Sequence, residues 1–377
     1  MANEVGCKPD TTPFKYLGLN VGANMNRIIN WHPVYEIFRA CLSKWKAKLL
    51  SIGGRVVLIK SVMESLPNYY FSLYKAPNKV ITNLEAMIKR FLWGGSIEER
   101  KMHWVAWDRV SCHKKEGGLG LKKLKEINTT LLIKWDGGTK RKTIVFGREL
   151  LMRSILVGWG GSVSFSRKAS MGFGTISRSY LLIPRLGIFL FGTLSKLLAI
   201  LVDVRVTSEA DRWRWTSDSS GSFSVKSVKK LLYEAVDTEN RYILDWCKWA
   251  AAKVNIHSWR MEMEKIPTGV ALKYRNVQIG DPLCPLCGSN EESVERIFIA
   301  CQVASVIWNG VSSWCKIPNI FAFSIRDLLR IHKEISASEC KKEAVQSIIM
   351  IGCWSLWRAR NNLIFSNKEI KIDRIMS

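Results

Sequence analysis

The sequence predicts a mainly α-helical protein with one small β-hairpin, an α+β chain dominated by its helices. Three observations carry that expectation. Apolar residues recur every three or four positions over several long stretches, the period of a helix with one buried face. Glycine and proline punctuate those stretches at their ends, as at Gly53–Gly54, Pro67, Gly94–Gly95 and Pro267, where they stop helices. Only one region, "DRWRWTSDSSGSFSV" (211–225), alternates with a period of two around a turn, the mark of a hairpin.

Taken in order, "VYEIFRACLSKWKAKLL" gives the first helix. Val34, Phe38, Cys41, Trp45 and Leu49 form one apolar stripe, widened by Ile37 and Leu42. "SIGG" (51–54) is read as its stop, "RVVLIKSVMESL" as a second helix closed by Pro67, and "NKVITNLEAMIKRFLW" as a third closed by Gly94 and Gly95. Together they predict a small bundle with a lysine- and arginine-rich surface, and the helical region 31–135 is expected to fold without zinc. Farther on, Trp104 and Trp107 precede a glycine-rich turn at Gly117, Gly118 and Gly120. Leu121, Leu124, Ile127, Leu131 and Trp135 then make another helical stripe. "GGLG" lacks the spacing of a phosphate-binding loop. Residues 136–206 hold only three acids, Asp136, Glu149 and Asp203, and show no sustained period; they read as a poorly ordered linker. After the hairpin, "KSVKKLLYEAV", "WCKWAAAKVNIHSWRMEMEKI" and "IIMIGCWSLWRARNNLIF" read as helices.

The 377 residues are long for one domain, and 47% of them are apolar, enough for real cores. The net charge is +25, from 57 basic and 32 acidic residues. Residues 1–135 carry 22 basic against 10 acidic side chains, while residues 207–377 are nearer balance at 24 and 19. An excess of that size implies an anionic partner, and nonspecific RNA or DNA is the commonest. Lys44, Lys46, Lys48, Arg55, Lys60, Lys89 and Arg90 are the expected phosphate contacts, while aromatics such as Trp45 belong to the core rather than to a stacking platform. The ten cysteines lack secretory spacing and "MANEVGCKPD" has no apolar signal core. An intracellular setting, nuclear or cytoplasmic, follows, in which clustered cysteines favour metal over disulfides. The apolar run 186–202 is interrupted by Lys196 and falls short of the ~20 residues of a membrane span, so no membrane partner is expected.

One stretch, "CPLCGSNEESVERIFIAC" (284–301), opens and closes as a metal site does. It supplies Cys284, Cys287 and Cys301, whereas a structural zinc takes four protein ligands.

The order of motifs carries a resemblance. "PFKYLGLNVG", "LSKWKAKLLSIGGRVVLIKSV", "FLWGG", "KKEGGLGL" and "GSFSVKS" are followed by "KVNIHSWR", "IPTGVALKYRN", "CPLC" and "WSLWRARNNLIF". The series resembles the C-terminal part of plant non-LTR (LINE-type) retrotransposon reverse transcriptases, including their zinc-binding domain, over about residues 11–135 and 211–366. The resemblance implies an RNA-directed DNA polymerase by descent. It implies a remnant of the end of the palm at 1–30, a helical thumb-like or connection region at 31–135, a degenerate linker at 136–206, a zinc-binding domain at 207–330, and a C-terminal helix and tail at 331–377. In such enzymes an adjacent Asp pair of the palm holds two metal ions, since two-metal phosphoryl transfer needs carboxylates converging on ions about 3.5–4 Å apart. This chain has no Asp-Asp dipeptide, and its only acids before Glu64 are Glu4, Asp10 and Glu36. No catalytic residue is therefore assigned, no magnesium is expected to bind, and the chain is read as a truncated, inactive polymerase that retains nucleic-acid-binding and zinc-binding regions. A protein–protein interaction module derived from the same element, without nucleic-acid binding, is the alternative.

The resemblance also locates the missing ligand. The family runs E-x-x-x-H-L-F-x-x-C where this chain has "ESVERIFIAC", so Arg296 stands at the histidine. A guanidinium stays protonated and cannot ligate. Three readings stay open: weak zinc on three cysteines with water, Glu292 or Glu295 as the fourth ligand; replacement by a remote His257, Cys315 or His332; or zinc lost and the cysteines left as small buried hydrophobes.

Overall fold

In the computed structural model of the chain, the structure describes residues 13–45, 47–95, 99, 101–139, 167–168, 212–213 and 242–368. The chain divides into two compact units, residues 1–128 with 238–377, and residues 129–237. In the first, a short antiparallel hairpin of β1 (Phe14–Tyr16) and β2 (Leu19–Val21) leads in, with Phe14 opposite Val21. Helices α1 (His32–Lys44), α2 (Ile52–Leu58), α3 (Asn68–Leu73), α4 (Asn78–Leu92), α5 (Trp107–Ser111) and α6 (Leu124–Thr139) follow. Of the second unit, α6 runs in past Asn128, and β3 (Arg167–Lys168) pairs antiparallel with β4 (Arg212–Trp213). The first unit resumes with α7 (Ala252–Glu262), α8 (Gly269–Lys273), α9 (Gln302–Cys315), α10 (Ile325–Glu334) and the 28-residue α11 (Glu339–Ser366).

The mainly helical reading holds, with differences of local chemistry. Among the described residues a hairpin lies at 14–21. Of the stretch 211–225 only Arg212–Trp213 is described, paired with β3, and the expected hairpin there otherwise lies outside the described residues. The first helix stops at Lys44, so Leu49 ends up exposed instead of extending the stripe, while Val34 and Phe38 are buried as expected. "SIGG" starts a helix rather than stopping one. Ser51 caps α2 by accepting a hydrogen bond from the Gly54 amide at 3.2 Å, the preferred use of serine at that position. Gly53 lies within α2 because its neighbour is the start of α7: a Cβ there would sit 2.9 Å from the Lys253 amide nitrogen. Pro67 leads straight into α3, a helix the periodicity did not show, and α4 ends on Gly94 at φ +81° as its sequence suggests.

Within the first unit, the helices of residues 31–128 pack against the C-terminal helices. α7 lies on α2, α10 and α11 and is buried nearly all round, from Val254 to Trp259 and at Met261. The Trp259 indole donates to the Gly117 carbonyl at 2.8 Å, and Arg109 donates to the Tyr242 carbonyl at 3.1 Å. The glycine turn of 117–120 is thus a docking point rather than a ligand loop. Gly117 sits at φ +79°, and a Cβ on Gly118 would overlap the Cys112 carbonyl. Gly118→Ala is expected to cost about 1–3 kcal/mol, the range for overpacking, read as a lower midpoint in urea.

The predicted linker 136–206 and the helix 226–236 lie largely outside the described residues, as does the apolar run 186–202. Among the described residues no helix is long and apolar enough to cross a membrane.

Candidate functional site

The cysteine stretch is built as a knuckle. The Cys284 amide donates to the Asn290 carbonyl at 2.8 Å, and the Gly288 amide donates back to the Cys284 carbonyl at 2.7 Å. The tight reversal is carried by Gly288 and Asn290, both in the left-handed region at φ +67° and +53°. Beyond it the chain forms a wide π-type turn over Arg296–Ala300 and enters α9 through Cys301, its N-cap. This return brings Cys301 to the knuckle. The sulfurs of Cys284, Cys287 and Cys301 lie within 4.8 Å of one another. Cys284 and Cys301 are fully buried.

The two buried thiols are polarised in opposite senses. The Cys284 thiol hydrogen-bonds the Cys301 sulfur, which lowers Cys301 to a pKa of about 7; the Ala304 and Val303 amides at the start of α9 add to this, against the cost of burial. The same bond, with burial, pushes Cys284 well above the thiol range.

Arg296 occupies the fourth corner. Its Nη2 donates to Cys287 Sγ at 3.2 Å, and that bond holds the guanidinium in its charged form. The residues therefore fit a zinc ion at three corners and not at the fourth. Among the described residues this is the one metal-type group, and the alternatives raised by the sequence do not join it. Glu292 is buried and fully engaged elsewhere: Arg360 grips it in a two-pronged pair at 2.5 and 2.6 Å, and the Gly269 amide donates to it at 2.6 Å. Glu295 is exposed on the preceding turn. His257 is a core residue packed by the rings of Phe298, Trp354 and Trp357, 5.3–6.0 Å away. Burial, with help from Arg260, lowers its pKa to about 3, and neither ring nitrogen has a partner. It therefore braces the turn that carries Arg296 from behind. Cys315 and His332 also stand outside the cluster.

The Glu292–Arg360 pair is the site's hidden support. It ties the strand-like link after the knuckle to α11, and Arg360 also stacks on Trp357 at 4.9 Å. The glutamate of "ESVER" and the arginine of "WRARNN" were both visible in the sequence; 68 positions separate them, so nothing local paired them.

The expected phosphate contacts are dispersed. Lys44 is exposed at the end of α1. Lys46 lies outside the described residues, and so does the side chain of Lys48. Lys60 is turned inward, donating to the Leu119 carbonyl at 2.7 Å. Lys89 lies 3.9 Å from Glu85 and over the Trp107 ring at 5.2 Å. Arg90, beside it on α4, is half-buried, and Arg55 on α2 reaches toward Gly94. The structure thus brings Arg55, Lys89 and Arg90 toward the α4 terminus, while Lys60 is spent on the Leu119 carbonyl.

Comparison with known proteins adds three findings. Residues 223–308 match the family model described as zinc-binding in reverse transcriptase. A protein of Arabidopsis thaliana named "Putative ribonuclease H protein" is 25% identical over 407 aligned residues, covering 91% of this chain and 65% of the relative. An uncharacterized mitochondrial protein of the same plant is 35% identical over 72 residues, 19% of this chain and 46% of the relative; the transposon TX1 uncharacterized 149 kDa protein of Xenopus laevis is 31% identical over 110 residues, 28% and 8%. The chain thus spans less than two thirds of each of these relatives. The three-cysteine knuckle thus lies inside a region similar to the zinc-binding part of reverse transcriptases, and one of the similar proteins is named for a transposon.

Proposed function

We propose that this chain is a nucleic-acid-binding reverse transcriptase derivative that does not polymerise by itself, and that works inside the cell on RNA or DNA without sequence preference. The observation that supports it most is one of charge: 22 basic against 10 acidic side chains in residues 1–135, with no adjacent Asp pair anywhere in the chain. Phosphates supply the missing negative charge, while two-metal chemistry has no carboxylate pair to hold its ions. The cysteine cluster is a structural element in this reading, with zinc held weakly or not at all because Arg296 blocks the fourth corner.

Binding of a fluorescent single-stranded RNA, measured against salt, tests the reading. With about six phosphate contacts, log K should fall against log salt with a slope near −4. A flat dependence, or no binding at low salt, would favour the protein-docking alternative. Primer extension on an RNA template with magnesium should stay at background, and template-dependent product from the isolated chain would refute the inactive assignment.

A further inference from the structure

Three arginines that are far apart in the sequence meet beside Trp93, Gly94 and Trp104. Arg55 comes from α2, Arg260 from α7, and Arg275 from the turn after α8. The Arg260 guanidinium carbon stands 5.5 Å from the Trp93 ring centre and 5.8 Å from that of Trp104; Arg275 stands 4.6 Å from the same Trp104 ring. Arg55 lies against Gly94, where any Cβ would collide with it.

None of the three has a carboxylate partner among the described residues. Arg260 Nε donates to the Lys265 carbonyl at 3.0 Å, and Arg275 donates to the His103 and Trp104 carbonyls at 3.0 and 3.2 Å. Arg55 Nε is buried with no partner at all. The charges press on one another: Arg260 is lowered to a pKa of about 10, first by burial and then by Arg55 and Arg275. Lys89 and Arg90 lie on the same side and help to depress His103. Folding does not gather unpaired guanidiniums for stability, because like charges repel and burial costs each its hydration. Backbone carbonyls and indole faces hold this group in place instead, and its guanidiniums are of the kind that fits a phosphate. The adjoining indoles are themselves covered, Trp93 by His103 and Arg260, Trp104 by Arg260 and Arg275, so they hold the guanidiniums in place.

We propose that Arg55, Arg260 and Arg275 form a phosphate-binding site that seats the backbone of a single-stranded nucleic acid. The proposal rests on the nucleic-acid reading and gives it a place, of which the sequence supplied Arg55 alone.

The test uses the full chain and a labelled 20-nucleotide single-stranded RNA, with Arg55→Gln, Arg260→Gln and, as a charge control, Lys248→Gln, whose lysine is paired with Glu343. Arg55→Gln and Arg260→Gln should each weaken binding roughly fivefold or more and make the salt slope shallower by about 0.7. Their melting temperatures should hold or rise, because repulsion is relieved. Should Arg260→Gln fail to fold, Arg55→Gln still decides, since the Arg55 Nε makes no hydrogen bond. The control should stay within about twofold of the parent. If the parent binds RNA and both arginine variants bind it equally well, the site is wrong and the nucleic-acid reading stands; if the parent binds none, both fall. Equal weakening in Lys248→Gln would reduce the effect to net charge and overturn the site. Displacement of the RNA by an equimolar amount of inorganic pyrophosphate would make the occupant a small phosphorylated molecule and overturn the nucleic-acid assignment.

Discussion

Replacing Arg296 with histidine is expected to raise zinc affinity by about 100-fold or more. Removal of a mere supporting partner costs a metal site 10–100-fold, and here a ligand itself is restored. The framework is already in place. Cys284, Cys287 and Cys301 lie within 4.8 Å of one another, and position 296 faces Cys287 from the turn that precedes α9. The substitution removes a cation from beside the ion and supplies an imidazole nitrogen in place of the guanidinium. Because structural zinc in small modules contributes about 10–16 kcal/mol of apparent binding energy, even part of it would show as a zinc-dependent rise in melting temperature. Competition with a chromogenic chelator gives the affinities of parent and variant. Equal values would mean that position 296 is not the lost ligand. A chelator should erase the thermal gain of the variant and leave the parent nearly unchanged.

Glu292→Ala should destabilise the protein by about 3–5 kcal/mol, the usual cost of removing one partner of a buried ion pair. Both side chains are about 95% sequestered, with 4% of Glu292 and 5% of Arg360 accessible. The alanine variant strands the Arg360 charge and also strips the Gly269 amide of its acceptor. At roughly 2–4 °C per kcal/mol for a unit of this size, the melting temperature should fall by about 8–15 °C. The double variant Glu292→Leu with Arg360→Met should recover most of that loss, since well-packed apolar residues replace a buried pair at little cost. A single-variant loss below about 1 kcal/mol would show that the pair is not a structural tie.

Both results bear on why the site was only partly readable in the chain. The spacing of Cys284 and Cys287 and the substitution at 296 are local, and a local spacing survives in sequence. Position 292 was also noticed, as a metal ligand. Its true partner, Arg360, sits on a helix 68 residues away, and no periodicity joins residues at that distance. The arginine group is similar: Arg55 was picked for its charge, but Arg260 and Arg275 come from elements that only folding sets beside Trp104. Lys60 shows the converse. It looked like a surface cation, and it is spent on the Leu119 carbonyl.

The sequence alone determined what depends on neighbours along the chain. Helices such as α4 follow from an apolar residue every third or fourth place and a glycine able to take φ +81°, and the missing Asp pair and the three cysteines are plain text. The tertiary structure decided what depends on neighbours across space. It turned Gly53 of "SIGG" from part of a helix stop into the point on which α7 rests, because a close approach of two backbones favours glycine whatever the local pattern. It made His257 a neutral brace rather than a ligand, because burial among aromatic rings disfavours its charge. And it gathered unpaired guanidiniums into one place, because side-chain charge carries no period that a chain can display before it folds.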